Sequence, residues 1–149
     1  MRAPYQTLVF PYIKDKDHSF KYCIFKRKDT KVWQAISGGG EDGETPMKTA
    51  KRESKEEANI PAINKFFQLD STASIPVEAI RGFLWGEDVL VIPEYTFGVE
   101  VKDEIIDLKD EHVEYKWGTY EEVRGKLKWD SNKIALWELN HRLLNNKLK

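Results

Sequence analysis

Along its first third the chain sets short apolar runs between polar turns. Tyr5 to Ile13 ("YQTLVFPYI"), Phe20 to Arg27 ("FKYCIFKR") and Val32 to Ile36 ("VWQAI") are rich in aromatic and β-branched residues, so each predicts a strand. Glycines and charges take over in Gly38 to Gly43 ("GGGEDG"), which predicts a loop free to adopt positive φ. Thr45 then offers an N-cap with Pro46 at the first helical position, and Asn59 offers a left-handed end over which Ile60 folds back. A helix lies between them. Further on, Val89 to Val101 reads as a long strand bent at Pro93, and Glu114 to Thr119 as a shorter one. Thr119 and Glu122 have capping-box spacing for a short helix. Asp130 or Ser131 caps a terminal helix from about Asn132 to Asn145 that carries Ile134, Leu136, Trp137, Leu143 and Leu144. Strands interleaved with helices predict an α/β chain, α+β in stricter usage, with a mixed sheet between helical layers.

Length and composition narrow the picture. A chain of 149 residues suits one domain, expected over 1–149. Charged residues are 33% of the total, but 24 basic against 25 acidic leave a net charge of -1, so no long-range field draws nucleic acid or an acidic membrane. Met1 to Asp17 is interrupted by Pro11 and is too short in apolar length for a signal core or a span, which makes a cytoplasmic location the expectation. Lone Cys23 forms no internal disulfide, and His18, His112 and His141 show no ligand spacing. Metal chemistry in this chain would use oxygen ligands.

Those oxygens concentrate in one place. Glu53, Glu56 and Glu57 fall on one face of the expected helix, where like charges repel at about 0.2–0.5 kcal/mol per pair. Neutralisation by Lys48, Arg52 and Lys55 on a solvated face is one explanation. A hard divalent cation is the other, because it turns the same cluster into a stabilising site, and Mg²⁺ prefers oxygen ligands. The glycine run directly upstream can bring backbone N–H groups close to a phosphate. Metal-assisted phosphate chemistry follows.

Gly38, five residues, Glu44, seven residues, then Arg52 to Ile60 ("RESKEEANI") resembles the signature of the Nudix hydrolases. All its charged positions match; Ser54 stands where that signature has an aliphatic residue, and Asn59 where it has glycine. Segments after Lys26 are also similar to the bacterial dihydroneopterin triphosphate pyrophosphohydrolases: "FKRKD", "VWQAISGG", "DEHVEYKW" and "WDSNKIAL" occur in the same order. The resemblance implies a Nudix fold, a mixed sheet in an α/β/α sandwich with the signature loop-helix. It implies hydrolysis of a diphosphate bond in a nucleoside or pterin triphosphate with Mg²⁺ or Mn²⁺. It assigns Glu53, Glu56 and Glu57 to the metal, Arg52 to orienting a carboxylate, and Glu44 to supporting the loop.

Gly38 and Gly39 are the expected phosphate contacts, and Arg27 and Lys28 at a strand end are either further contacts or a solvated basic strand end. The resemblance also implies Glu111 as the catalytic base, with Glu53 as its main competitor, and His112 next to it is read as structural. Trp33, Tyr95 and Phe97 are either core residues or a stacking face, and Trp117 and Trp129 read as core. The partner expected is a small phosphorylated molecule, not nucleic acid or membrane, with monomer and homodimer both open. Other readings are hydrolysis of another nucleoside diphosphate-linked metabolite, a nucleotide-binding sensor without catalysis, and a nucleic-acid module built on the basic end Asn145 to Lys149.

Overall fold

β1 (Arg2–Lys14) organises the molecule because both of its faces are covered. Leu8, Phe10 and Tyr12 pack with Ala135, Leu136 and Leu139 of the last helix, whereas Val9 points the other way and packs with Ala50 and Ala58 of the first. This period-two split gives two hydrophobic layers, one on each side of the sheet. The computed structural model describes residues 1–80, 82–109 and 112–148. After β1 come β2 (Phe20–Arg27), β3 (Trp33–Gln34), β4 (Ile36–Glu41), α1 (Pro46–Ala58) and β5 (Phe66–Pro76); a 3-10 turn, Val77–Ala79, leads to β6 (Val91–Glu100), β7 (His112–Gly118), α2 (Tyr120–Lys126) and α3 (Asp130–Leu144).

Among the described residues seven strands join in one sheet, ordered β3-β2-β1-β6-β5, with β4 also paired to β1 and β7 to β2. The β1–β6 ladder is parallel and the others antiparallel, so the sheet is mixed, as expected. Pro93 sits in β6 just before β1 pairing begins at Gln6–Glu94, where its missing N–H costs no ladder bond on that side.

Several expectations need correcting. The glycine run is not a loop: Gly38, Gly39 and Gly40 belong to β4, paired with β1, and only Gly43 has positive φ, at 83°. β5 has no counterpart in the sequence reading. Its alternation buries only Leu69, so "FFQLDSTASIP" lacks the apolar density of a core strand. α3 begins at Asp130, with Trp129 at the cap position and no side-chain cap bond, so neither Asp130 nor Ser131 caps it. Its inward stripe is Asn132, Ala135, Leu136 and Leu139, while Ile134, Trp137 and Leu144 are exposed. The other helix ends agree: Thr45 Oγ1 accepts from Lys48 N, and Asn59 is left-handed at φ 55° with Ile60 N bonded back to Ser54 O. The Thr119–Glu122 capping box also forms.

Candidate functional site

α1 lies against the end of β4, and the contact between them explains the glycines. A Cβ on Gly38 would stand 2.1 Å from Glu53 Cδ, and one on Gly39 or Gly40 would strike Arg2 or Tyr5. Glycine is needed there for close approach rather than for unusual backbone angles.

Arg52 ties this corner together. Its Nε donates to Glu44 Oε2 at 2.8 Å, and its Nη2 donates to Glu44 Oε1 at 3.0 Å and to the Gly39 carbonyl at 2.9 Å. Nη1 donates to Glu53 Oε1 at 2.9 Å and to Glu56 Oε2 at 3.3 Å. Arg52 therefore makes both the i,i+4 pair to Glu56 and the ordering contact to Glu53, and the fork to Glu44 anchors it. Glu44 Oε1 also accepts from Glu41 N at 2.9 Å and from Thr49 Oγ1 at 2.8 Å. These bonds, led by Arg52, hold its carboxyl down at about 2 and clamp the β4–α1 connection. Thr49 in turn meets the Tyr5 hydroxyl at 2.6 Å. Neither Tyr5 nor Thr49 carries a sequence signal for this role, since both are ordinary strand and helix residues.

The three helix carboxylates sit in different surroundings. Glu53 is largely enclosed, and burial raises its pKa to about 7; Arg52 opposes the rise, and the charges of Glu56 and Glu57 add to it. Glu56 is 53% exposed. Glu57 turns inward toward His112, whose Nδ1 lies 3.6 Å from Glu57 Oε2, beyond hydrogen-bond range. His112 is fully enclosed, packed on Phe25 with ring centroids 5.4 Å apart, and both of its nitrogens lack hydrogen-bond partners. Glu57 Oε2 likewise has none.

An oxygen donor set with one orphaned buried acceptor and a carboxyl pushed up by burial fits a divalent cation. Among the described residues, no three carboxylate, imidazole or thiol groups converge on one point in this conformation. Arg52 draws Glu53 and Glu56 to itself while Glu57 faces His112.

The remaining candidates separate. Arg27 ends β2 beside His112 in the β2–β7 ladder and forms a two-bond pair with Asp29 at 2.8 and 3.0 Å. Lys28 is exposed. Phe97 is fully buried in the α1-side core, which excludes it as a stacking face. Trp33 packs partly into the α3-side core, and Tyr95 meets Tyr5 edge-on at 5.9 Å. Trp117 donates its indole N–H to Glu104 O, whereas Trp129 is 48% exposed and is not a core residue. Glu111 lies outside the described residues. Lys109 N bonds to Glu57 O at 3.2 Å, so the segment before β7 meets the end of α1. Among the described residues no helix is long and apolar enough to cross a membrane.

Comparison with known proteins gives a consistent result. The NUDIX domain family model matches residues 8–137. A dihydroneopterin triphosphate diphosphatase of Haemophilus influenzae is 29% identical over 133 residues, covering 87% of this chain and 83% of the relative. The crystal structure of a NUDIX hydrolase candidate from Listeria monocytogenes is 42% identical with a TM-score of 0.89, covering 99% of each chain. The Escherichia coli dihydroneopterin triphosphate pyrophosphohydrolase superposes with a TM-score of 0.76 at 25% identity, covering 97% of each chain.

Proposed function

The chain belongs to the NUDIX domain family and is a hydrolase of diphosphate bonds, and from that premise we propose that it is a Mg²⁺-dependent pyrophosphohydrolase of a pterin or nucleoside triphosphate. The products are the monophosphate and pyrophosphate. The observation that carries this reading is the Arg52 network, which binds Glu44 and Glu53 at 2.8 and 2.9 Å, together with the orphaned inward oxygen of Glu57. The similarity to two proteins named for dihydroneopterin triphosphate supports the substrate class.

Glu53, Glu56 and Glu57 would hold Mg²⁺ or Mn²⁺. When bound, the cation neutralises phosphate oxygens and acidifies a coordinated water. Arg52 orients Glu53 and screens Glu53 from Glu56; Glu44 keeps Arg52 in place. Gly38 and Gly39 let Glu53 and Arg2 lie against β4, which sets the strand backbone beside Glu53 where the substrate's phosphates bind, and Arg27 supplies positive charge at the end of β2. Two carboxylates compete as the base that takes the water's proton. Glu53 is held in the network, and Glu111 belongs to the segment whose Lys109 and His112 contact or face Glu57.

A screen with Mg²⁺ over dihydroneopterin triphosphate, the nucleoside triphosphates and nucleoside diphosphate-linked compounds, reading pyrophosphate and orthophosphate, tests this reading. Release of pyrophosphate from a triphosphate is expected. Full turnover in chelator, or turnover confined to diphosphate-linked compounds, overturns it. In the same assay, Glu111→Gln and Glu53→Gln identify the base as the variant that loses turnover by about 10²–10⁴-fold while keeping metal affinity.

A further inference from the structure

Arg52 bonds two of the three helix carboxylates. Its guanidinium donates to Glu53 Oε1 and Glu56 Oε2, whereas Glu57 Oε2, in the last turn of α1, is buried with no partner. The side chain that faces this oxygen is His112. Its Nδ1 stands 3.6 Å from Glu57 Oε2, its ring is fully enclosed, and neither ring nitrogen has a hydrogen-bond partner. Phe25 packs against the ring with centroids 5.4 Å apart.

The backbones that carry the two side chains are tied together. β7 opens at His112, opposite Arg27 of β2, where the ladder shifts register between Lys26 and Arg27. His112 N donates to Lys109 O at 3.2 Å, and Lys109 N donates to Glu57 O at 3.2 Å, so a short path of backbone bonds runs from one residue to the other. An imidazole carries at least one N–H whatever its charge. Leaving that donor and a carboxylate oxygen both buried and unpaired costs about 1–3 kcal/mol for each group. The remedy lies within one side-chain adjustment: closing 3.6 Å to the roughly 2.9 Å of an N–H···O bond asks for a shift of about 0.7 Å. A residue that only filled space beside Phe25 would need no nitrogen. A carboxylate has about four acceptor sites, so one given to His112 leaves the rest of Glu57 for a cation.

We propose that His112 is a positioning residue for the metal site, whose Nδ1–H donates to Glu57 Oε2 and fixes that carboxylate in the orientation that receives the cation. This deepens the function proposed above and rests on it for Glu57 as a ligand. The three carboxylates are then all oriented: Glu53 and Glu56 by Arg52, and Glu57 by His112. A ligand held in this way loses less freedom when the cation binds, and the difference appears as affinity.

The test is Mn²⁺ binding to the whole chain without substrate, read from the electron paramagnetic resonance signal of the free ion, so it needs no turnover. Wild type is expected to bind Mn²⁺, and His112→Leu to bind it about 10–100-fold more weakly. His112→Asn carries an amide N–H close to the place of Nδ1 and should stay within about 5-fold of wild type, whereas His112→Gln, whose amide reaches toward Nε2, should fall with His112→Leu. In a Glu57→Ala background His112→Leu should weaken binding no further, because the two changes remove one interaction. Melting curves without metal identify the folded variants, and the Asn and Gln pair decides the matter should His112→Leu not fold. Unchanged affinity in His112→Leu, equal affinities in His112→Asn and His112→Gln, or the full loss repeated in the Glu57→Ala background overturns the assignment. A wild type that binds no Mn²⁺ overturns both the assignment and the metal-dependent reaction. A chain that binds Mn²⁺ through Glu57 and His112 but releases no pyrophosphate from any triphosphate contradicts the proposed reaction and leaves the role of His112 standing.

Discussion

Gly38→Ala separates the site from the fold. The new Cβ would stand 2.1, 2.2 and 2.4 Å from Glu53 Cδ, Cγ and Oε2, whereas ordinary contact begins at 3.4 Å. The Glu53 carboxyl must therefore move by more than about 1 Å. The obstacle is the end of a flexible side chain and the β4 backbone is one any residue adopts, so the fold can absorb the change. Replacing a strand glycine gains about 0.5–1 kcal/mol, and loosening the 2.9 Å bond from Arg52 to Glu53 costs about 1–3 kcal/mol. The net effect on stability is a loss of about 2.5 kcal/mol or less. Catalysis tolerates far less, since a displacement of this size costs on the order of 10²-fold, or about 2.7 kcal/mol of barrier. Gly43→Ala is the control. Its φ of 83° strains any side chain, but nothing lies within 4 Å of the added atom, so it should lose about 1–2 kcal/mol of stability and keep its turnover. Thermal melts and pyrophosphate release at saturating Mg²⁺ read both quantities. Wild-type turnover in Gly38→Ala, or an equal loss in Gly43→Ala, would refute the reasoning.

Ser54 is fully buried with an unpartnered Oγ, so Ser54→Ala should stabilise the chain by about 1 kcal/mol in urea unfolding; a lower midpoint would show that the hydroxyl has a partner. Asn59→Gly keeps the left-handed cap and loses only the exposed 2.7 Å bond from Lys55, so stability should change by less than about 1 kcal/mol, and a loss of several would contradict this view of the cap. Glu44 has a folded pKa of about 2 against an ordinary 4.5, so its contribution is complete above pH 4.5 and is lost as pH falls toward 2. Wild type should lose stability across that window more steeply than Glu44→Gln, and parallel curves would refute the assignment.

The elements that could be read from the sequence were those with local chemistry. α1 announced itself through Thr45, Pro46 and Asn59, and β1 and β2 through dense apolar runs, because each of these signals lies within a few residues. β5 was hidden because a polar strand with one buried residue resembles a loop until its partner β6 is known. The glycine run misled for a related reason. Gly38 to Gly40 are glycines because Glu53, Arg2 and Tyr5 occupy the space of their side chains, a fact of tertiary packing. At the site, helical spacing grouped the carboxylates, but the fork from Arg52 to Glu44 and the turn of Glu57 toward His112 join distant segments.

Hydrolysis in heavy-oxygen water with Mg²⁺, followed by mass spectrometry of both products, tests the central claim most directly. Attack at the α-phosphorus of a pterin or nucleoside triphosphate places the label in the monophosphate, leaves pyrophosphate unlabelled, and is nearly abolished in Glu57→Gln with the fold intact. Labelled orthophosphate as the first product, or undiminished labelling in Glu57→Gln, would contradict it.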